Sequence, residues 1–160
     1  MGVIQQTAIT IGEALEATAQ TAGDKPVDQS DAAAIQAAEV RATGSNVIIP
    51  GGLAATAQSA AAHNASVNRN EEKIRLNEVL TVHSIAEFLL FKGFIFESYA
   101  DLIYLQGATA KLPADKAVTR QDAEGVVSAE LRNNPNVATH PGGVAASIAA
   151  AARLNENVNV

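Results

Sequence analysis

The chain has 160 residues, a net charge of −6 and no cysteine. That length fits one domain or two small ones. The acidic balance argues against a nucleic-acid footprint, which needs a clustered basic face, and the missing thiols exclude a disulfide frame and any Cys-ligated zinc.

The N-terminus has no basic region followed by an apolar stretch, so it is not a secretory leader. Gln6 stands where an N-myristoylation signal carries Ser or Thr. Thr10-x-x-Glu13 reads as a capping box that opens a helix from about Ile11 to Ala22. Gly23 stops it and Pro26 blocks continuation. Asp28 before Gln29-Ser30-Asp31 starts a second helix, which should reach about Thr43 and end at Gly44. Asn46–Ile49 has the composition of a short strand. Pro50-Gly51-Gly52 then leads into an alanine-rich third helix, Leu53–Ala62, and Asn64–Asn70 reads as a polar linker.

The same pattern returns downstream. Asp24–Asn64 aligns with Asp115–Asn155 at a constant offset of 91, with sixteen of 41 positions identical. Among the identities are Asp24/Asp115, Lys25/Lys116, Asp31/Asp122, Glu39/Glu130, Arg41/Arg132, both Pro-Gly-Gly triplets and Asn64/Asn155. Thr119-x-x-Asp122 opens the matching second helix, Pro135 stops it, and Val144–Leu154 is the matching third. Val137–His140, opposite Asn46–Ile49 in the alignment, is weakly strand-like. Such duplication makes this a repeat architecture.

Upstream, Ile9–Leu15 matches Ile74–Leu80, and Ala17–Ala19 matches Ala108–Ala110, once Val82–Gln106 is removed. Those 25 residues hold every aromatic in the chain: Phe88, Phe91, Phe94, Phe96, Tyr99 and Tyr104. Ile85, Phe88 and Leu89, and further on Phe96, Tyr99 and Ile103, recur at spacings of three and four, which gives the segment helical potential. Phe88–Phe96 is the most apolar run, but Lys92 breaks it and it is too short to span a membrane. The segment reads as a retained intron or misdrawn gene model, because a valine codon begins with GT and CAG ends as acceptors do. A lineage-specific loop is the other reading.

Candidate chemistry is sparse. His63, His83 and His140 share no metal-ligand spacing and read as surface or capping residues. No Gly-x-Ser-x-Gly elbow occurs. The Pro-Gly-Gly turns lead into helix N-termini, where free N–H groups can hold an anion. No P-loop Lys-Ser/Thr follows, and glycine for a tight turn is the preferred reading. Residues two apart on a helix do not face each other. In a pseudo-twofold arrangement Glu39 would therefore meet Arg132, and Glu130 would meet Arg41; a solvated face is the alternative.

The runs Ile9–Thr18, Asp24–Glu39, Ala123–Arg132 and His140–Ser147 resemble plant seed maturation proteins, a branch of the late embryogenesis abundant proteins. The resemblance covers about 9–81 and 107–155. It implies a protein that accumulates late in seed development and is linked to tolerance of drying. It further implies a cytoplasmic or nuclear location, no catalytic residue, no cofactor and no metal, with client proteins protected non-specifically from aggregation. Members commonly carry three copies; two are seen here, which reads as a chain lacking the first.

The expectation is a mainly α protein of two homologous three-helix repeats, 9–64 and 74–155, the second interrupted by 82–106. Alanine buries little area at ~25 cal/mol per Å², against ~1–2 kcal/mol of backbone entropy per residue. Marginal stability or partial disorder in water follows, with weak self-association through exposed aromatics. No nucleic acid or membrane partner is expected. The competing reading is a folded helical binding module for one cytosolic or nuclear partner.

Overall fold

A computed structural model describes residues 7–80, 112 and 114–158. Among them are six α-helices, and each forms where local chemistry calls for one. The Thr10 hydroxyl accepts from the Glu13 N–H, and the Glu13 carboxylate accepts from the Thr10 N–H, opening α1 (Ile11–Thr21). A Cβ on Gly23 would lie 2.0 Å from the Ala19 carbonyl oxygen, so the exit from α1 needs glycine. Asp28 and Asp31 make the second capping box, at the start of α2 (Gln29–Thr43). Gly44 ends α2 at φ +72°, the left-handed conformation glycine adopts without a Cβ penalty. After α3 (Leu53–Ser66) and a 3₁₀ turn at Asn70–Glu72 comes α4 (Leu76–Leu80). Thr119 and Asp122 open α5 (Arg120–Asn133), and α6 spans Val144–Val158.

Two local expectations are corrected. Asn46–Ile49 and Val137–His140 are not strands; pairing among the described residues is limited to isolated bridges, Thr10 with Ala117 and Pro26 with Arg75. The Ile49 and His140 N–H groups instead point at the buried carboxylates of Glu39 and Glu130, which bends both loops inward. Asn64 is not linker either: α3 runs two residues past it, and its side chain is buried. The 82–106 segment, with the readings placed on it, lies outside the described residues.

The packing interlocks the copies. α2 crosses α5 at the centre, α3 lies on α2, and α6 lies on α5. The leading helix α1 packs on α6 of the other copy and on α4, while α4 also packs on α3. Ile74 stands to Val27 and Asn64 as Ile9 stands to Val118 and Asn155. The core has no aromatic among the described residues. Ile11, Leu15, Ile35, Leu53, Leu76, Leu80, Val126 and Ile148 are enclosed, with alanines between them. Where α2 meets α5, Ala33, Ala37, Gly125 and Ala129 are small, and helix separation follows side-chain size.

Candidate functional site

The repeated polar residues turn inward. Glu39 is buried in α2, and its carboxylate accepts the Ala54 N–H at 2.9 Å and the Ile49 N–H at 3.5 Å. Glu130 accepts from Ala145 at 3.4 Å and from His140 at 3.2 Å. Each glutamate therefore caps the third helix of its own copy. Gly52, the N-cap of α3, has no side chain to do so. The Pro-Gly-Gly turns deliver those helix starts: Gly51 and Gly142 sit at φ +72° and +69°, where L side chains are strained. The anion held at each helix N-terminus is thus the protein's own carboxylate, placed where the helix dipole favours negative charge. Burial raises the Glu130 pKa, prevailing over the two backbone N–H donors.

This arrangement overturns the cross-copy pairing of Glu39 with Arg132 and Glu130 with Arg41. A buried carboxylate is satisfied by backbone donors that cannot turn to water, whereas the long arginine side chains remain exposed on the surface.

The asparagines make a second pair of clamps. Asn64 Nδ2 donates to the carbonyls of Val27 (2.8 Å) and Ile74 (2.7 Å), and its Oδ1 accepts the Ile74 N–H at 2.7 Å. Asn155 Nδ2 donates to Ile9 (2.8 Å) and Val118 (2.9 Å), and its Oδ1 accepts the Ile9 N–H at 2.7 Å. Each amide joins two chain segments far apart in sequence. A buried amide with both donors and its oxygen engaged specifies one arrangement.

The third repeated device ties Lys25 to Asp28 (2.8 Å) and Asp31, and Lys116 to Asp122 (2.7 Å). Burial opposes the Lys25 charge, but hydrogen bonds to both aspartates outweigh it and raise its pKa. Burial lifts Asp31 despite its lysine, and the neighbouring Asp28 charge adds to the lift. Burial also works on Asp122, yet bonds from Lys116 and Thr119 prevail and lower it. Deeper burial of Asp31 is the main difference between the copies, and the N-cap, anionic Asp28 in the first copy and neutral Thr119 in the second, adds to it.

Asp28 itself is pushed down to about 2: burial opposes this, but bonds from Lys25, Ser30 and the Asp31 backbone win. A carboxylate with a depressed folded pKa stabilises the fold above its ordinary value of 3.8, and that stabilisation is lost as pH falls through about 2. Asp28→Asn keeps a capping acceptor and removes the charge. Urea melts should therefore show a smaller loss of stability for the variant between pH 3.8 and about 2. Parallel acid slopes for the two proteins would contradict this.

Among the described residues no three His, Asp or Glu side chains stand close enough to hold a metal. His63 meets the Glu72 carbonyl at 3.2 Å, and His140 contributes its backbone N–H to Glu130. His83 lies outside the described residues. No described helix is long and apolar enough to cross a membrane.

The clamps were only partly foreseeable. Identity at Glu39/Glu130 and Asn64/Asn155 marked these residues, but their partners are backbone atoms, which sequence identity does not reveal. One signal was available for the asparagines: a polar residue kept in both copies within an alanine-rich helix suggests a buried hydrogen-bonding role.

The model of the seed maturation protein domain matches residues 9–67 and 100–158. Its second match begins inside the 82–106 segment. The chain is 76% identical to late embryogenesis abundant protein D-34 of Gossypium hirsutum, over 99% of the chain and 51% of the relative. It is 65% identical to late embryogenesis abundant protein 31 of Arabidopsis thaliana, over 100% of the chain and 52% of the relative. With late embryogenesis abundant protein 3 of the same plant it shares 47% identity over 94% of the chain and 69% of that protein. The chain spans about half the length of the first two relatives. No solved structure matches it.

Proposed function

Because the chain belongs to the seed maturation protein family, we propose that it protects other proteins, without catalysis, while seed tissue matures and dries. The observation that carries this reading is the fate of the repeated polar residues. Glu39/Glu130, Asn64/Asn155, Asp31/Asp122 and their lysines cap and clamp the backbone, so the repeat encodes a scaffold rather than a reaction centre.

The mechanism is physical. Water competes for every N–H and C=O that these clamps hold, so withdrawing it strengthens the internal bonds. The helices persist or extend as drying proceeds. A net charge of −6 keeps neighbouring molecules apart. Clients are engaged non-specifically, in the cytoplasm or the nucleus. A test enzyme dried with this protein should recover more activity than with an equal mass of albumin; equal or poorer recovery would sink the mechanism.

The well-enclosed clamps also favour a second reading, a folded helical module that binds one partner. Cooperative melting in dilute buffer together with a single saturable partner would select it.

A further inference from the structure

Arg41 on α2 and Arg132 on α5 occupy matching positions in the two copies. Both line a groove of about 380 Å³ along the α2–α5 crossing. No aspartate or glutamate lines it; the Gln36 and Asn133 amides and the Ser128 hydroxyl stand beside the arginines. On a chain with 17 acidic residues against 11 lysines and arginines, cations readily find carboxylates. Lys25, Arg69, Lys116 and Arg120 do so. Arg41 and Arg132 have no carboxylate partner among the described residues.

Arg41 is nonetheless seated. A Cβ on Gly125 would lie 2.7 Å from Arg41 Nη2 and 2.9 Å from its Nε, so the guanidinium rests against the α5 backbone where glycine leaves room. Glycine inside a helix costs about 1 kcal/mol relative to alanine, and the first copy has Ala34 at the matching position. The second copy accepts a weaker helix at the position that receives Arg41.

We propose that this groove binds a small phosphate-class oxyanion, free phosphate or a phosphate ester, between Arg41 and Arg132. Guanidinium groups present paired donors that fit phosphate oxygens. Ser128 and Gln36 add neutral donors, and Asn133, one of whose N–H groups is bonded to the Ala129 carbonyl, has a second to offer. Because one arginine comes from each copy, the ligand ties the copies together and stabilises the folded state by mass action. This goes beyond the protective role and does not rest on it.

The test is an amide-resolved NMR titration of the full chain with inorganic phosphate and, separately, with glucose 6-phosphate. Sodium chloride at matched ionic strength is the reference. Saturable shifts centred on Gly125, Ser128, Ala129 and Gln36 are expected. Arg41→Gln and Arg132→Gln should each weaken binding about tenfold. Gly125→Ala should weaken it too, by unseating Arg41, whereas Arg153→Gln should leave it unchanged. Tighter binding of the ester would identify a phosphorylated small molecule as the ligand; tighter binding of inorganic phosphate would identify the free ion. The proposal is overturned by no saturation with either probe up to about 10 mM, by shifts spread over the surface, or by binding that survives both arginine substitutions. Should a variant fail to fold, the shift map of the unaltered chain decides.

Discussion

Asn155→Ala and Asn64→Ala are each expected to lower the unfolding free energy by about 3–4 kcal/mol, the largest single-residue losses outside the apolar core. Removing Asn155 leaves the Ile9 N–H and the Val118 carbonyl without their partner, while the Ile9 carbonyl keeps only the Val118 N–H. Removing Asn64 does the same to the Ile74 N–H and the Val27 carbonyl, while the Ile74 carbonyl keeps only the Val27 N–H. Each buried group left unpaired costs about 1–3 kcal/mol, and water entering the gap makes the total less than the sum. The sign of the effect is itself diagnostic. Alanine is the better helix former by up to about 0.7 kcal/mol, so if these asparagines were surface residues the substitution would stabilise. Asn155→Asp separates volume from hydrogen bonding: it fills the same space but loses both donors and sets a charge against two carbonyls. It should be at least as damaging as alanine at neutral pH. Urea denaturation of the four proteins checks this, and an alanine variant as stable as the parent would refute the clamp.

Glu39→Ala and Glu130→Ala should each cost about 2–3 kcal/mol, through loss of a charge-assisted cap and exposure of unpaired N–H groups. Glu39→Gln retains one acceptor oxygen and should cost about half as much. The partners are the Ala54 and Ile49 N–H groups for Glu39, and those of Ala145 and His140 for Glu130. Combining Glu39→Ala with Arg132→Ala should give additive losses, because the two side chains do not meet. A coupling energy above about 0.5 kcal/mol in that double-mutant cycle would reinstate the cross-copy ion pair.

Local structure was legible in the sequence, and tertiary partners were not. The capping signals at Thr10, Asp28 and Thr119 placed three helix starts, because those bonds join residues three apart. Gly44 and Pro135 placed two helix ends for equally local reasons. The constant offset revealed the twofold repetition and the residues it preserves. It left open where Glu39 and Asn64 point, since alignment compares a residue with its copy and is silent on its neighbours. The supposed strands at 46–49 and 137–140 failed for a related reason. Short apolar runs suit a strand only when another edge is at hand, and here the buried glutamates claim the loop N–H groups. The preferred tight-turn reading of the Pro-Gly-Gly triplets agrees with the positive φ of Gly51 and Gly142; the carboxylate at each helix start, from the preceding helix of the same copy, was not foreseen. Nothing in the sequence pointed to the seat of Arg41 on Gly125, because a mid-helix glycine is uninformative until the neighbour above it is seen.

Buried asparagines join the two copies, buried glutamates hold each copy's third helix, and the chain opens as one cooperative unit. Native-state hydrogen exchange in dilute buffer tests this most directly, at four amides that no helical ladder protects: Ile9, Ile74, Ala54 and Ala145. The expected result is that these amides exchange only through the global opening that also releases Ile35 and Val126 in the central helices. Exchange of the four at unprotected rates, while Ile35 and Val126 stay protected, would contradict it.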